Sequence, residues 1–159
     1  MKLRSDILAA KQCTFDTEIT ADYGDKIHTF SVSCLGKSDG SLKFTVTAPE
    51  SISGITGEIS ENGGKLTFAD TALQFDTMAD DLISPVSAPW IFYSTLRGGY
   101  LTAAGMEEEL LRLTINDSYE EDALQLDIWL DQHNKPVRAE ILHENRRIIC
   151  MTVTNFDLQ

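Results

Sequence analysis

The stretch CTFDTEITADY, residues 13–23, decides the class of fold. Five of its six odd positions are apolar, and all five even positions are polar. Successive side chains of a strand point to opposite faces, so this period of two predicts a strand with one dry and one wet face. Such a strand is typical of a half-buried antiparallel sheet. The apolar set is Cys13, Phe15, Ile19, Ala21 and Tyr23.

The alternation returns in both directions along the chain. A strand is expected at Leu73–Phe75, after a turn at Ala69-Asp70, and Asn62-Gly63-Gly64 supplies the positive φ angles that a tight hairpin requires. Together these patterns predict a mostly antiparallel α+β fold with about ten strands. The other strand patterns lie at 28–34, 42–48, 52–59, 65–68, 110–115, 124–130, 137–142 and 146–156.

Two segments have helical spacing instead. Lys2–Lys11 predicts a short amphipathic N-terminal helix. The second helix begins near Ser87, an expected N-cap followed by Pro89, and ends at Gly98-Gly99. Its residues 90–97 are apolar around most of the circumference, so we expect it to be enclosed on more than one side. Its aromatic residues fit either plain core packing or a lid over a hydrophobic cavity.

Composition limits the classes of partner. The 159 residues fit one domain, 1–159, and carry a net charge of −12. This acidic balance disfavours nucleic acid and unaided docking on an anionic membrane. No apolar run is long enough to span a membrane. Three scattered cysteines without a CxxC pair argue against a disulfide scaffold or a zinc site.

The sequence contains no convincing catalytic signature. The string from Gly36 to Gly40 matches G-x-S-x-G, but it joins two alternating strands and therefore predicts a loop. A Cys150–His143 pair is a weak alternative, and the histidines have no metal-ligand spacing. We interpret the acidic clusters as solvated surface. We therefore expect no enzyme activity, no cofactor and no metal. The clusters are Asp80-Asp81, Glu107–Glu109 and Glu120–Asp122.

The first residues leave the compartment open. Met1 to Arg4 is basic, but the apolar run Ile7–Ala10 is shorter than the h-region of a signal peptide. The residues before Cys13 do not form a lipobox. The protein is therefore expected to be cytoplasmic, or extracytoplasmic if an export segment was removed.

Several stretches together resemble the LolA/LolB superfamily of lipoprotein carriers. They are FTVTAP at 44–49, ITGEI at 55–59, GKLTF at 64–68, LQF at 73–75, LDIWLD at 126–131, PVRAEI at 136–141 and TNF at 154–156. The resemblance implies a curved, open half-barrel whose concave face is plugged by a helix, enclosing an apolar cavity. It also implies a non-catalytic, extracytoplasmic protein that carries acyl chains of lipoproteins or other lipids.

The first hypothesis is therefore a monomeric carrier or sensor of a hydrophobic ligand. The alternative is an acidic interaction or structural module of the cell envelope, with a filled core and a basic protein as partner. Strand parity selects the side chains expected to line the cavity, and a register error of one residue would turn a whole set outward. They are Phe15, Ile19, Phe30, Phe44, Val46, Trp90, Phe92, Tyr93 and Leu96.

Overall fold

The computed structural model describes residues 1–68, 71–75, 78–79 and 82–159. Two α-helices and thirteen strands are assigned there, with two short 3-10 helices at Glu50–Ile52 and Pro85–Ser87. The helices are α1 (Lys2–Ala9) and α2 (Ala88–Gly98). The strands are β1 (Gln12–Asp22), β2 (Ile27–Lys37), β3 (Leu42–Ala48), β4 (Thr56–Ser60), β5 (Gly63–Phe68), β6 (Thr71–Phe75), β7 (Met78–Ala79), β8 (Leu82–Ile83), β9 (Tyr100–Glu107), β10 (Leu110–Asn116), β11 (Gln125–Leu130), β12 (Pro136–His143) and β13 (Arg146–Leu158).

Eleven strands form one antiparallel sheet in the order β6-β5-β4-β3-β2-β1-β13-β12-β11-β10-β9. The sheet is open, with β6 at one edge and β9 at the other, and β7 pairs with β8 in a separate two-stranded sheet. β1 and β13, the first and last strands of the large sheet along the chain, pair at its centre, where Cys13 lies opposite Leu158. The predicted open antiparallel sheet with one apolar helix and a short N-terminal helix is confirmed, with eleven strands where about ten were expected.

The parity of β1 to β3 is confirmed by burial. Residues 13, 15, 17, 19 and 21 of β1 are buried, and the residues between them are more exposed. Leu42, Phe44 and Val46 are buried in the same alternating way on β3. We call the face that bears these side chains the inner face, because α2 packs on it. The opposite side is the outer face.

β11 departs from simple alternation because both of its faces are buried. Its outer face carries Trp129, only 4% exposed, between the guanidinium groups of Arg112 and Arg138 at 5.1 and 4.5 Å from the ring centroid. The Asp127 carboxylate on the same face is 1% exposed and accepts a hydrogen bond from Arg112 at 2.5 Å. Long basic side chains thus cover the outer face, so that charged and apolar groups are buried together.

Some predictions fall on residues outside those described. The turn at Ala69-Asp70 and the acidic pair Asp80-Asp81 are among them. Of the helices in the described ranges, none combines the length and apolar character needed to cross a membrane. The described residues also include no group of three or more His, Cys, Asp or Glu placed to hold a metal ion.

Candidate functional site

Helix α2 lies on the inner face and buries nearly all of its apolar side chains. Phe92 and Leu96 are fully buried, and Ile91 and Tyr93 are 3% and 2% exposed. The helix packs against β3, β10, β12 and α1, so it touches both halves of the sheet. This explains why its apolar residues cover most of the circumference, as predicted.

Three phenylalanine rings fill the space between α2 and the centre of the sheet. The ring of Phe92 lies 5.2 Å from that of Phe15 on β1, and Phe15 lies 6.2 Å from Phe156 on β13. Tilted rings at these separations attract each other in addition to the area they bury. The stack holds α2 over the seam where the first and last strands pair.

Tyr93 is seated in a gap that glycine leaves in the sheet. A Cβ at Gly36 would lie 2.5 Å from the Tyr93 ring, so no larger residue fits beneath it. The Tyr93 hydroxyl donates a hydrogen bond of 2.8 Å to the carbonyl of Lys37. The ring and hydroxyl together fix the lateral position of α2 on β2.

The C-terminal end of α2 is held by arginines. Arg4 Nε of α1 donates to the Leu96 carbonyl at 2.7 Å, and an Arg97 guanidinium nitrogen donates to the Ser38 carbonyl at 2.8 Å. Cations at a helix C-terminus also interact favourably with the helix dipole. The predicted end at Gly98-Gly99 is correct, but Gly99 has an extended backbone. It is glycine because a Cβ there would lie 2.7 Å from Ile115 Cγ2 and from the Thr95 carbonyl oxygen.

The N-terminal end of α2 has fewer polar ties. Ser87 is the N-cap residue as predicted, but its side chain makes no capping hydrogen bond. Ser87 Oγ and Trp90 Nε1 are buried and have no hydrogen-bond partner among the described residues. Leaving such groups unsatisfied costs about 1–3 kcal/mol each. The described contacts therefore hold the C-terminal end of the helix more firmly than its N-terminal end.

Two open clefts run along either side of the outward ridge of α2, which consists of Trp90, Ser94 and Gly98. One cleft, of about 600 Å³, lies between this ridge and the β10–β11 loop, residues 117–124. The other, of about 500 Å³, lies between the ridge and the β2–β3 and β4–β5 turns. Trp90 borders both clefts and is the least buried of the nine predicted site residues. It is the point at which a ligand on the surface would first meet the core.

The predicted lining residues are brought together in one place. Eight of the nine belong to a single buried cluster, and Trp90 packs against its margin. Those eight are almost closed off from solvent in this structure, so a ligand would reach them only after the cluster opened. Their cavity role stays a prediction.

Comparison with known proteins bears on this architecture. No family model matches the chain, and no curated protein matches it. Solved structures do match over nearly its whole length. A putative outer membrane lipoprotein-sorting protein domain from Vibrio parahaemolyticus aligns with a TM-score of 0.53 at 8% identity, covering 99% of this chain and 89% of that one. A LolA superfamily protein from Nitrosomonas europaea aligns with a TM-score of 0.50 at 6% identity, covering 99% and 92%. The chain has a LolA-like fold.

A third solved structure that aligns with this chain gives no indication of function. An uncharacterized conserved protein from Thermus thermophilus aligns with a TM-score of 0.53 at 9% identity, covering 99% of this chain and 86% of that chain. At such identities the likeness establishes the LolA-like fold alone.

Within this LolA-like fold, sequence reasoning missed several residues at the site. Ile91 and Thr95 of α2, Leu113 and Ile115 of β10, and the anchoring Arg4 were not predicted. The bond from Arg4 spans 92 residues of chain, so no local spacing could have indicated it. Arg97 lies in the last turn of α2. The structure places it outside, where it holds the β2–β3 turn.

The chemistry of the cysteines argues against a nucleophile. Burial raises the pKa of Cys13 to about 12 and raises the pKa of Cys34 well above its ordinary value. The pKa of Cys150 is raised by the same cause. A nucleophilic cysteine requires a lowered pKa, because the thiolate is the reactive form. Cys150 lies opposite Glu140, and His143 lies opposite Arg146 in the β12–β13 ladder.

The two inner-face thiols offer a measure of how often α2 lifts. In a Cys150→Ser background, we expect Cys13 and Cys34 to react very slowly with Ellman's reagent at neutral pH, because both are buried and protonated. Tyr93→Phe removes the hydroxyl that bonds to Lys37. A loss of about 1 kcal/mol should speed labelling about fivefold. Ser94→Ala, on the outward ridge, is the control and should label at the parent rate. Equal rates for all three proteins would show that labelling does not report on this contact.

Proposed function

We propose that this protein is a non-enzymatic, extracytoplasmic carrier or sensor of a hydrophobic ligand, with an acyl chain held between α2 and the inner face of one domain spanning 1–159. One observation carries the proposal. An open sheet presents a continuous apolar inner face, and one apolar helix, tied by polar bonds mainly at its C-terminal end, covers it. The residues proposed to contact the ligand are the nine expected to line the cavity, five of them on β1 to β3 and four on α2.

The energetics allow a reversible exchange between helix and ligand. Moving a sixteen-carbon chain out of water gains roughly 12 kcal/mol, at about 0.8 kcal/mol for each buried CH₂. Full burial of a large apolar side chain gains about 1.5–3 kcal/mol, so the four large side chains of α2 that are almost completely buried together gain roughly 6–12 kcal/mol. These residues are Ile91, Phe92, Tyr93 and Leu96. Because the two sums are similar, an acyl chain could replace α2 without binding irreversibly.

The clefts supply a route for entry. Trp90 borders both of them, and its indole Nε1 has no hydrogen-bond partner among the described residues. Because Nε1 is buried in the closed structure, a polar headgroup would satisfy this donor only after α2 shifts, and the attached chain would then follow the indole ring toward Phe92. The likeness to a structure described as a putative lipoprotein-sorting domain supports a ligand of this class.

The filled core favours one function other than that of a carrier. The Phe92–Phe15–Phe156 stack and the position of the Tyr93 ring over Gly36 leave little room in this conformation. An acidic interaction or structural module that never opens would have the same structure. Its association with a basic protein would weaken with salt and ignore lipid.

Mass spectrometry of the purified protein separates the two functions. The native mass is compared with the mass after denaturation and organic extraction, before and after incubation with fatty acids and phospholipids. A lipid-sized species that leaves on unfolding, at about one per chain, supports the carrier. A mass equal to that of the bare chain under all these conditions would contradict it.

Trp90→Ala tests the entry route. We expect binding of a fluorescent fatty acid to weaken about tenfold, because truncating an aromatic anchor removes roughly 1.4 kcal/mol or more. The far-UV spectrum should stay native. Phe68→Ala is the control, since this side chain is 53% exposed on β5, away from α2. Unchanged affinity in Trp90→Ala would show that this residue contributes only to packing and does not contact the ligand.

A further inference from the structure

Strand β9 is an open edge of the large sheet. It ends the strand order beyond β10, and all eight of its residues are exposed. Backbone N–H and C=O groups of an antiparallel edge strand point outward at every second residue, where they can pair with another strand. Among the described strands, none covers this side of β9.

The middle of β9 lacks the features that usually protect an edge. Residues 101–106 read LTAAGM, with no charge and no proline. Natural edges are commonly blunted by lysine, proline or an inward-pointing charge. Leu101 is 47% exposed and Met106 is 70% exposed, although both lie opposite inward-facing positions of β10. The apolar inner face therefore continues to the edge of the sheet without cover.

Acidic residues stand at both ends of this apolar middle. Residues 98–124 carry seven Asp or Glu and one basic residue, Arg112. This segment alone accounts for half of the chain's net charge of −12. At one end, Glu107–Glu109 form the β9–β10 turn. At the other, the carboxylates of the β10–β11 loop follow Asn116, which pairs with Tyr100. They are Asp117, Glu120, Glu121 and Asp122.

This charge pattern excludes a second copy of the chain as the natural partner. If two β9 strands paired antiparallel, the Glu107–Glu109 turn of one copy would face the Asp117–Asp122 loop of the other. If they paired parallel, each acidic end would face its own copy. Like charges placed directly opposite each other destabilise strand pairing. The edge therefore repels itself and suits a partner of opposite charge.

We propose that β9 binds an extended, basic peptide segment of a protein partner by adding it to the sheet as a twelfth strand. Its small or apolar middle would lie along residues 101–106, and its Lys or Arg residues would stand at both ends, roughly 25 Å apart for eight residues of strand. Main-chain hydrogen bonds provide affinity and the end charges provide selectivity. The space under α2 takes no part, so this proposal does not depend on the carrier function.

Two stacked tyrosines at one end of β9 form a candidate binding site for a cationic side chain. The rings of Tyr100 and Tyr119 lie 3.8 Å apart, and Tyr119 is 82% exposed. An aromatic face beside carboxylates attracts Lys or, better, Arg. The Tyr100 end of β9 is therefore expected to prefer Arg over Lys in the partner.

The turn at the opposite end provides a variant that separates binding from folding. Glu108 and Glu109 have φ angles of 48° and 70°, a conformation for which Asn-Gly is the preferred pair. Replacing them by Glu108→Asn with Glu109→Gly should therefore raise the melting temperature while removing two charges. Weaker binding by a more stable protein cannot be attributed to misfolding.

The test measures binding of a fluorescent ten-residue peptide by anisotropy. The peptide has two arginines at each end and alternating valine and threonine between them. A second peptide has glutamates at the ends, a third has the basic ends with every backbone amide of the valine and threonine centre methylated, so that neither edge can pair, and a fourth has the basic ends on an alanine-rich helical centre. We expect only the first to bind well, with an affinity that falls at least tenfold between about 0.05 M and about 0.5 M salt.

Two variants then locate the site. The Glu108→Asn, Glu109→Gly protein should bind the first peptide about fivefold more weakly, since each exposed ion pair contributes modestly. Asp25→Asn with Glu61→Gln removes the same charge from two exposed turns elsewhere and should bind like the parent. Equal affinity of the helical or methylated peptide would overturn strand addition. Equal weakening by both variants would overturn the location, and dimerisation of the chain would overturn the choice of partner.

Discussion

We expect Phe92→Ala to lower the free energy of unfolding by about 4 kcal/mol, within the range for removing a buried phenylalanine. Phe92 is fully buried, and its ring packs on Phe15, which in turn packs toward Phe156 at the centre of the sheet. Removing the ring leaves a cavity between α2 and the seam of β1 and β13. The strands on either side are hydrogen-bonded into the sheet and cannot close it fully. Equilibrium unfolding in urea measures the loss.

Phe92→Leu is the matched control for this prediction. It keeps a branched apolar side chain at the same position and leaves a much smaller cavity, so it should cost less than half as much as Phe92→Ala. Trp90→Ala, on the margin of the same cluster, should fall between the two. If Phe92→Ala cost no more than Phe92→Leu, the ring would not be what anchors α2, and the helix would owe its place to the polar contacts of its C-terminal end.

The second large loss of stability is expected from a substitution on the outer face. Arg112→Met should destabilise the protein by about 3 kcal/mol, because it leaves the carboxylate of Asp127 buried without its charge partner. Methionine keeps a straight apolar stem against the ring of Trp129, so the loss reports on the charge more than on packing. The hydrogen bond from Gln125 to Asp127, 3.0 Å long, would remain but carries no full charge.

Asp127→Asn should cost much less, about 1 kcal/mol. The Arg112 side chain is 42% exposed and its guanidinium also bonds to Glu107 at 3.1 Å, so its charge keeps a partner without Asp127. The amide still offers an oxygen to Arg112. The two variants are compared by urea unfolding at the same pH and salt. If Asp127→Asn were the more damaging, the buried carboxylate would not be the group that needs compensation.

The fold could be predicted largely from local pattern. The period of two in residues 13–23 fixed which side chains of β1 are buried, and the structure confirms it at Phe15, Ile19 and Ala21. This works because parity depends only on the alternating geometry of a strand. The pattern failed on β11, where Asp127 and Trp129 are buried on the outer face. Their cover comes from arginines on neighbouring strands, which no periodicity along β11 can reveal.

The site was predictable only in part, for a similar reason. Burial of Phe92, Tyr93 and Leu96 follows from a helix that is apolar all round. The contacts that position the helix join distant parts of the chain. Arg4 reaches the Leu96 carbonyl, and Tyr93 reaches Lys37 across 56 residues. The glycine beneath Tyr93 is informative only once the ring is seen above it, because the residues 36–40 suggested nothing more than a loop.

The pairing of β1 with β13 at the centre of the sheet also affects folding of the protein. Strands β1 to β6 pair with their neighbours in sequence, as do β9 to β13, so each half can form from local contacts. The seam instead sets Cys13 opposite Leu158 and cannot form until β13 is available for pairing. Until then, the central edge of β1 remains unpaired beside apolar side chains, a state prone to mispairing. The folding chain is therefore most vulnerable to aggregation while β13 has not yet paired with β1.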